Sequence, residues 1–367
     1  MKFATFFYPG YYNCIRRNQA ANVCINEWAL LQRNAPSVFV ETVPIVPLLG
    51  YTDCSNPSVL AQEAGIANAY GIDAFIFNYY FDGQNSELGR PLDIFSRLKT
   101  RMEFSINLCC HMPKRKLPFG VNDENIAPYS FWTKKQFEQF ASEISNRYLT
   151  KPNYLKIEDH AIITFYHVNA FTYLYGPQGL RNLIDILRNK TSSLGIKIHV
   201  IGLFSIAGGW NRLPRATQHL PFDSFSCYVG LPDFGSDQPI QPLPALAEKW
   251  VRLMSEQSGN FMQQKLIGCV GAGWNATSRG EQNYDPRRDG LKFPYYPIVI
   301  DDSPNEFKKY LSNSVQEALW NSSYDSNLFF LGPWNEWSEG CYLLPDKKFG
   351  FGKLEAVKQV KKMLKPI

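Results

Sequence analysis

The chain has 367 residues, 45% of them hydrophobic and 15% aromatic, enough for a large core in two ordinary domains or in one α/β barrel with long loops. Charged residues make up only 19%, and the net charge of +5 is spread along the chain; the densest basic stretch, Lys114-Arg115-Lys116, reads as a short solvated loop, so no nucleic-acid partner is expected. No run approaches the roughly 20 apolar residues that a membrane span requires, and none is expected.

Taken in chain order, the opening Met1-Lys2-Phe3-Ala4-Thr5-Phe6-Phe7-Tyr8-Pro9 is too short for a secretory leader and is interrupted by Pro9. A cytoplasmic location is therefore expected. The eight cysteines agree with it: Cys109 and Cys110 are adjacent, and Cys14, Cys24, Cys54, Cys227, Cys269 and Cys341 are scattered without a short CxxC, which reads as buried free thiols. The sequons at Asn189, Asn275 and Asn321 would matter only in a secreted chain.

Within that opening, residues 3–7 form a β-rich apolar run that ends at Tyr8. Asn56-Pro57-Ser58 then starts a helix that reaches Tyr70 and stops at Gly71. A second strand at 74–78 leads into Asn78-Tyr79-Tyr80, and a third at 104–108 leads into Cys110-His111. Residues 131–148 place Phe137, Phe140, Ile144 and Tyr148 at helical spacing. A fourth strand at 161–165 ends at Tyr166-His167, and a helix follows over 179–193. Strands at 199–203 and 224–228 end at Phe204-Ser205 and Tyr228, with a helix at 244–255. The seventh strand, 266–270, opens a long loop to Gly290, a candidate lid that carries Gly273-Trp274-Asn275 and Arg279. Asp301-Asp302 could suggest an acidic metal pair, but Ser303-Pro304 beside them favours a helix start, with the helix over 305–319. The eighth strand, 328–331, precedes a last helix at 354–364.

Eight continuous apolar runs alternating with helices predict one (β/α)₈ TIM barrel over residues 1–367, with long βα loops. In such barrels chemistry sits where strands end. The residues at those ends turn polar and aromatic while the strands feeding them are apolar.

The sharpest of these ends is Trp334-Asn335-Glu336-Trp337-Ser338-Glu339. If the loop opens as a helical turn, Glu336 and Glu339 share a face, about 5–6 Å apart at Cβ. Two carboxylates in a dry site titrate apart, one as base and one as acid, which is the division that glycosidic cleavage needs. Spacing alone favours a plainer role, since Glu suits a first helical turn and Trp plugs a core; the strand-end position brings catalysis level with it. Asn335 is placed to bond a sugar hydroxyl or to orient a carboxylate. Tyr228 ends the sixth strand, a position that suits an aromatic core plug and, somewhat better, a role near the anomeric centre. Tyr79, Tyr80 and Trp274 can stack on sugars, although adjacent tyrosines in a strand can also split, one inward and one outward. His111 and His167 serve equally as packed residues or as ligand contacts. No histidine spacing suits a metal, and neither metal nor cofactor is expected.

Pro333-Trp334-Asn335-Glu336-Trp337-Ser338-Glu339-Gly340, followed by Tyr342-Leu343-Leu344-Pro345-Asp346, resembles the C-terminal signature of WbsX-type proteins, relatives of the endo-α-mannosidases of glycoside hydrolase family 99. Phe7-Tyr8-Pro9, Asn26-Glu27-Trp28, Gly50-Tyr51-Thr52-Asp53 with Ser55-Asn56-Pro57, the stretch from Ala69 to Phe75 with Tyr79-Tyr80-Phe81, and Gly273-Trp274-Asn275 with Arg279-Gly280 resemble further family motifs. The resemblance implies a (β/α)₈ barrel and a retaining mechanism without an enzyme nucleophile. Glu336 would deprotonate the sugar's own 2-hydroxyl, and Glu339 would protonate the leaving oxygen. With the strand-end positions, sugar contacts are expected from Tyr8, Tyr79, Tyr80, His111, His167, Tyr228, Trp274, Asn275, Arg279, Trp334, Asn335, Trp337 and Tyr342. One departure bears on the substrate: the family's tryptophan-rich segment after the third strand is replaced by Cys109-Cys110-His111-Met112-Pro113-Lys114.

The expected function is hydrolysis of α-linked mannose-like sugars in a glycan or bacterial polysaccharide. The alternatives are a glycosyltransferase of O-antigen or capsule synthesis, against which stands the lack of a phosphate-cradling glycine loop, and a non-catalytic carbohydrate-binding barrel.

Overall fold

In the computed structural model the described residues are 1–15, 27–32, 39, 44–111, 130–205, 219–257, 264–279, 285–291 and 295–364. The basic stretch Lys114-Arg115-Lys116, the Cys24 thiol, Asn26, Met112 to Lys114 of the departing segment, and residues 280–284 of the glycine-rich loop lie outside them.

Eight parallel strands close on themselves: β1 (Lys2–Phe7), β2 (Ala74–Phe81), β3 (Glu103–Cys109), β4 (His160–Tyr166), β5 (Lys197–Phe204), β6 (Ser224–Cys227), β7 (Lys265–Val270) and β8 (Tyr324–Leu331). Each pairs with its neighbours in chain order, and β8 pairs with β1. Each of the eight apolar runs is one of these strands. They are largely apolar because both faces are covered over most of their length. Along β2, Phe75 and Phe77 pack outward on Phe95 of the helix Arg90–Phe95, with centroids at 5.6 and 5.1 Å. Phe6 of β1 points inward, against Tyr228 at 4.5 Å and Phe330 at 5.2 Å.

Local signals fix where the helices begin. The Asn56 side chain caps the helix Pro57–Ala69 by accepting from Ser58 N–H, with proline in the first turn. Thr133 and Gln136 form a capping box for Lys134–Ile144. Ser303 caps Pro304–Trp320, and Asp302 forms an ion pair with Lys353 at 2.9 Å, so that segment is a helix entry. The element Val168–Ser192 is two helices broken at Gly176, whose φ of +64° precedes Pro177. The stretch read at 179–193 is its second half; the first half, directly after β4, was not legible.

Registers decide what faces inward together. Asn78 of β2, Asn107 of β3 and Thr164 of β4 lie side by side, and one inward pleat higher so do Tyr80, Cys109 and Tyr166. After β8 the chain forms a small antiparallel ribbon, Asn335–Glu336 against Cys341–Tyr342, joined by the 3₁₀ turn Trp337–Glu339. Gly340 closes the turn at φ +62°, and a Cβ there would lie 2.6 Å from the Asn275 backbone nitrogen. Only glycine permits both the turn and this approach. No helix among the described residues is long and apolar enough to cross a membrane.

Candidate active site

Glu336 and Glu339 stand on this ribbon and turn at the C-terminal end of the barrel, where catalysis is sited in such folds. The turn is 3₁₀ rather than α, but it keeps the two carboxyl groups adjacent. Glu336 is only 6% exposed. Its Oε1 accepts from the Tyr228 hydroxyl at 2.6 Å, and its Oε2 is buried with no hydrogen-bond partner among the described residues. Burial first, and then the neighbouring Glu339 carboxylate, raise its pKa well above the usual glutamate value, while the Tyr228 bond and Arg279 oppose the rise.

Glu339 is held from the other side. Arg279 Nη1 donates to its Oε1 at 2.5 Å, and Arg279 Nε donates to Ser338 Oγ at 2.9 Å. The guanidinium is itself positioned by Asn275, whose Oδ1 accepts from Thr277 N–H and Oγ1 to form the turn Thr277–Arg279. Asn275 N–H also donates to the Glu339 carbonyl at 2.7 Å. The predicted contact at Asn275 is thus a side chain that builds the Arg279 turn.

A third carboxylate completes the cluster. Glu27, 1% exposed in the short helix Glu27–Gln32, accepts from Tyr8 Oη at 2.9 Å and from Ser338 Oγ at 3.0 Å, with Arg279 Nη2 at 3.6 Å. Glu27 appears in the sequence only as part of a Glu-Trp motif and was not read as a site residue. Its burial among polar partners is what brings it into the site, and a six-residue helix gives no periodicity to announce it.

Tyr80, His111, Tyr166 and Tyr228 form an aromatic wall beside the pair. His111 meets Tyr80 and Tyr166 edge-on, each at 5.5 Å, and Tyr166 lies 4.8 Å from Tyr228. Tyr166 was legible only as a strand end. Tyr8 adds its ring from β1 and is anchored by Asn335, whose Oδ1 accepts from Tyr8 N–H and whose Nδ2 donates to Tyr8 C=O. Asn335 spends its amide on the barrel closure.

Several expected contacts lie elsewhere. Tyr79 points outward to Phe140 and Tyr148, because alternate residues of a strand face opposite sides. Trp334 also points outward: it is fully buried, packs on Phe75, and its indole N–H donates to Glu63 on the helix Pro57–Ala69. Trp337 and Tyr342 stack on one another at 4.1 Å and buttress the turn from within, the Tyr342 hydroxyl donating to Asp346. Trp274 is buried edge-on against Phe234 above β7. His167 begins the helix after β4; burial lowers its pKa to about 4, so its ring is neutral at physiological pH. No group of three His, Cys, Asp or Glu among the described residues is placed to hold a metal ion.

A sequence profile of the family described as "Glycosyltransferase WbsX" matches residues 3–221 and 245–357. An uncharacterised protein, WxcX, of Xanthomonas campestris pv. campestris is 24% identical over 348 residues, covering 91% of this chain and 46% of the relative. The chain thus spans about half the length of the curated relatives it matches. In structure it is similar to the GH99 endo-α-mannosidase of Bacteroides thetaiotaomicron, with a TM-score of 0.59 at 13% identity over 99% of this chain and 96% of that one. It is likewise similar to a glycoside hydrolase-like protein, with a TM-score of 0.61 at 13% identity over 98% and 93%.

Proposed function

This chain belongs to the family described as glycosyltransferase WbsX, and from that premise we propose that it is a retaining glycoside hydrolase of α-linked, mannose-like sugars in a glycan or bacterial polysaccharide. A carbohydrate-active enzyme on a glycoside hydrolase-like barrel is the coarser statement, and family and fold carry that much. The finer reading rests on one observation: a buried Glu336 keeps Oε2 unpartnered beside a second carboxylate held by arginine. A protein leaves a buried carboxylate oxygen open where a ligand is to meet it.

In the proposed reaction Glu336 takes the proton of the sugar 2-hydroxyl through Oε2. The 2-oxygen attacks the anomeric carbon, and the bond to the leaving oxygen breaks as Glu339 protonates it. Water then opens the anhydro ring at the anomeric carbon, giving its proton to Glu339, while Glu336 returns its proton to the 2-oxygen. The raised pKa of Glu336 makes it a stronger base once ionised. Tyr80, His111, Tyr166 and Tyr228 supply an apolar wall with polar edges, suited to a sugar face.

A second reading exchanges the roles, and the upward shift of Glu336 favours it, because a buried carboxyl that holds its proton can act as the acid. The decisive comparison uses glycan cleavage by the native protein, Glu336→Gln and Glu339→Gln, together with an α-mannosyl fluoride, whose leaving group needs no proton. The expected result is loss of glycan cleavage in both variants, with fluoride turnover kept by Glu339→Gln alone. Fluoride turnover kept by Glu336→Gln alone would exchange the roles. Transfer seen only when a nucleotide sugar is added would overturn hydrolysis and make the enzyme a transferase. Glycan binding without turnover, unchanged in Glu339→Gln, would leave a binding barrel.

A further inference from the structure

The barrel interior beneath the carboxylates is polar, where barrels of this kind are filled with branched apolar side chains. Thr164 Oγ1 donates to Asn107 Oδ1 at 2.8 Å, Asn107 Nδ2 donates to Asn78 Oδ1 at 2.8 Å, Asn78 Nδ2 donates to Tyr228 Oη at 2.7 Å, and Tyr228 Oη donates to Glu336 Oε1 at 2.6 Å. All five side chains are buried, and they come from β4, β3, β2, the end of β6 and the ribbon after β8.

Proton counting gives this chain its direction. A tyrosine hydroxyl carries one proton. When Tyr228 gives that proton to Glu336, it must accept from its other neighbour, so Asn78 presents its NH₂ group there. The Asn78 oxygen then faces Asn107, which must present NH₂ in turn, and the Asn107 oxygen faces Thr164, which must donate. Reversal needs both amides to rotate by half a turn inside a packed barrel. It also sends the Thr164 proton to the Ile106 carbonyl, 3.5 Å away instead of 2.8 Å. The forward direction is the better bonded one, and bonds aligned head to tail strengthen each other.

We propose that this layer is an orientation lock on Glu336: it commits Oε1 to accepting from Tyr228 and reserves Oε2 as the oxygen that gains and loses the proton. Asn78, Asn107 and Thr164 are positioning residues, and Thr164 acts on the carboxylate from four hydrogen bonds away. The inference rests on the reading of Glu336 as the proton-transferring base. It bears on the two assignments of roles as well, since a polarised Tyr228 hydroxyl favours the ionised carboxylate against the burial that opposes it.

The groups facing Glu336 limit what else can set its ionisation. Glu339 and Arg279 approach from the 3₁₀ turn and from the loop after β7, and Tyr228 from β6. Tyr80, Cys109, Tyr166 and Cys341 approach from β2, β3, β4 and the ribbon. Those four and Tyr228 are all pushed upward by burial and stay neutral, so among the described residues Glu339 and Arg279 are the groups whose charge bears on Glu336.

The test reads the carboxylate itself. The ¹³C resonance of Glu336, in protein labelled at glutamate Cδ and assigned by its disappearance in Glu336→Gln, is followed against pH in the native protein, Thr164→Val, Thr164→Ser and Asn107→Leu. Valine keeps the shape of threonine and removes the donor that distinguishes the two directions. The Glu336 midpoint is expected to rise by about 0.5–1 unit in Thr164→Val, the worth of one neutral hydrogen bond, and to return to native in Thr164→Ser. Asn107→Leu should raise it at least as far. An unchanged midpoint in Thr164→Val and Asn107→Leu, with both folded, would reduce the layer to packing and overturn the lock. This readout needs no substrate, so it separates failure of the lock from failure of the hydrolase reading.

Discussion

Asn335 grips Tyr8 at both of its backbone polar groups, taking the N–H at 2.8 Å and giving to the C=O at 2.9 Å, across 327 residues of sequence. The side-chain amide thus behaves as one more rung of sheet where β1 meets the segment after β8. Asn335→Ala removes both buried hydrogen bonds to the Tyr8 backbone, a loss of about 2–4 kcal/mol. Urea unfolding should show that loss, and glycan turnover should fall with it because Tyr8 and Glu336 both lose their anchor. A variant as stable as the native protein would mean that water replaces the amide at no cost.

Arg279 stands between two carboxylates, Glu339 at 2.5 Å and Glu27 at 3.6 Å, with only 14% of its side chain exposed. Arg279→Met removes their shared counter-charge while keeping the apolar stem. Stability should drop by about 3 kcal/mol, the cost of a broken buried ion pair. Turnover should fall about 100-fold through misplacement of Glu339, with a smaller change in KM. Arg279→Lys keeps the charge but not the fork that also bonds Ser338, and should recover stability better than rate.

Tyr228→Phe deletes the hydrogen bond from Tyr228 to Glu336 Oε1. A base works only when ionised, so activity is lost as pH falls through the pKa of Glu336. Because that pKa already stands above the usual glutamate value, the acid limb of kcat/KM should lie above about pH 4.3 in the native protein. Removing a bond that lowers the pKa moves the limb further up in Tyr228→Phe. A limb that moves down, or stays, would contradict the assignment of Glu336.

Glu63 lies outside the barrel wall, buried on the helix Pro57–Ala69, and accepts from the Trp334 indole at 2.9 Å. Burial raises its pKa to about 7, against the Trp334 bond that lowers it. The folded state therefore binds the proton more tightly than the unfolded chain does. Its contribution to stability is fully present below about pH 4.3 and is lost as pH rises through about 7. The loss is about 3 kcal/mol by pH 8. Glu63→Gln, which can still accept from Trp334, should flatten that slope in urea titrations from pH 5 to 8 and be the more stable protein at pH 8.

The barrel was legible because its strands are largely apolar on both faces, and the carboxylate pair because it follows the last of them. The same scarcity of alternation hides which residues of a strand face inward. Asn78-Tyr79-Tyr80 reads as three equivalent candidates, yet Tyr79 faces the helices while Asn78 and Tyr80 face the interior. Trp334 beside Glu336 is misleading for the same reason, since adjacent positions face opposite ways. Asn107 and Thr164 sit inside apolar runs, where a lone polar residue signals nothing until register sets them side by side. Glu27 required the tertiary fold to bring it to Ser338, 311 residues away.

The polar layer inside the barrel also limits how this protein can be re-engineered. Loops over a barrel are commonly treated as interchangeable modules on an inert frame. Here a transplant of all the loops onto another eight-stranded frame would carry over Glu336 and Glu339 but leave behind Asn78, Asn107 and Thr164, which belong to the strands. The frame is part of the reagent, and grafts that succeed should be those that take three interior positions along with the rim.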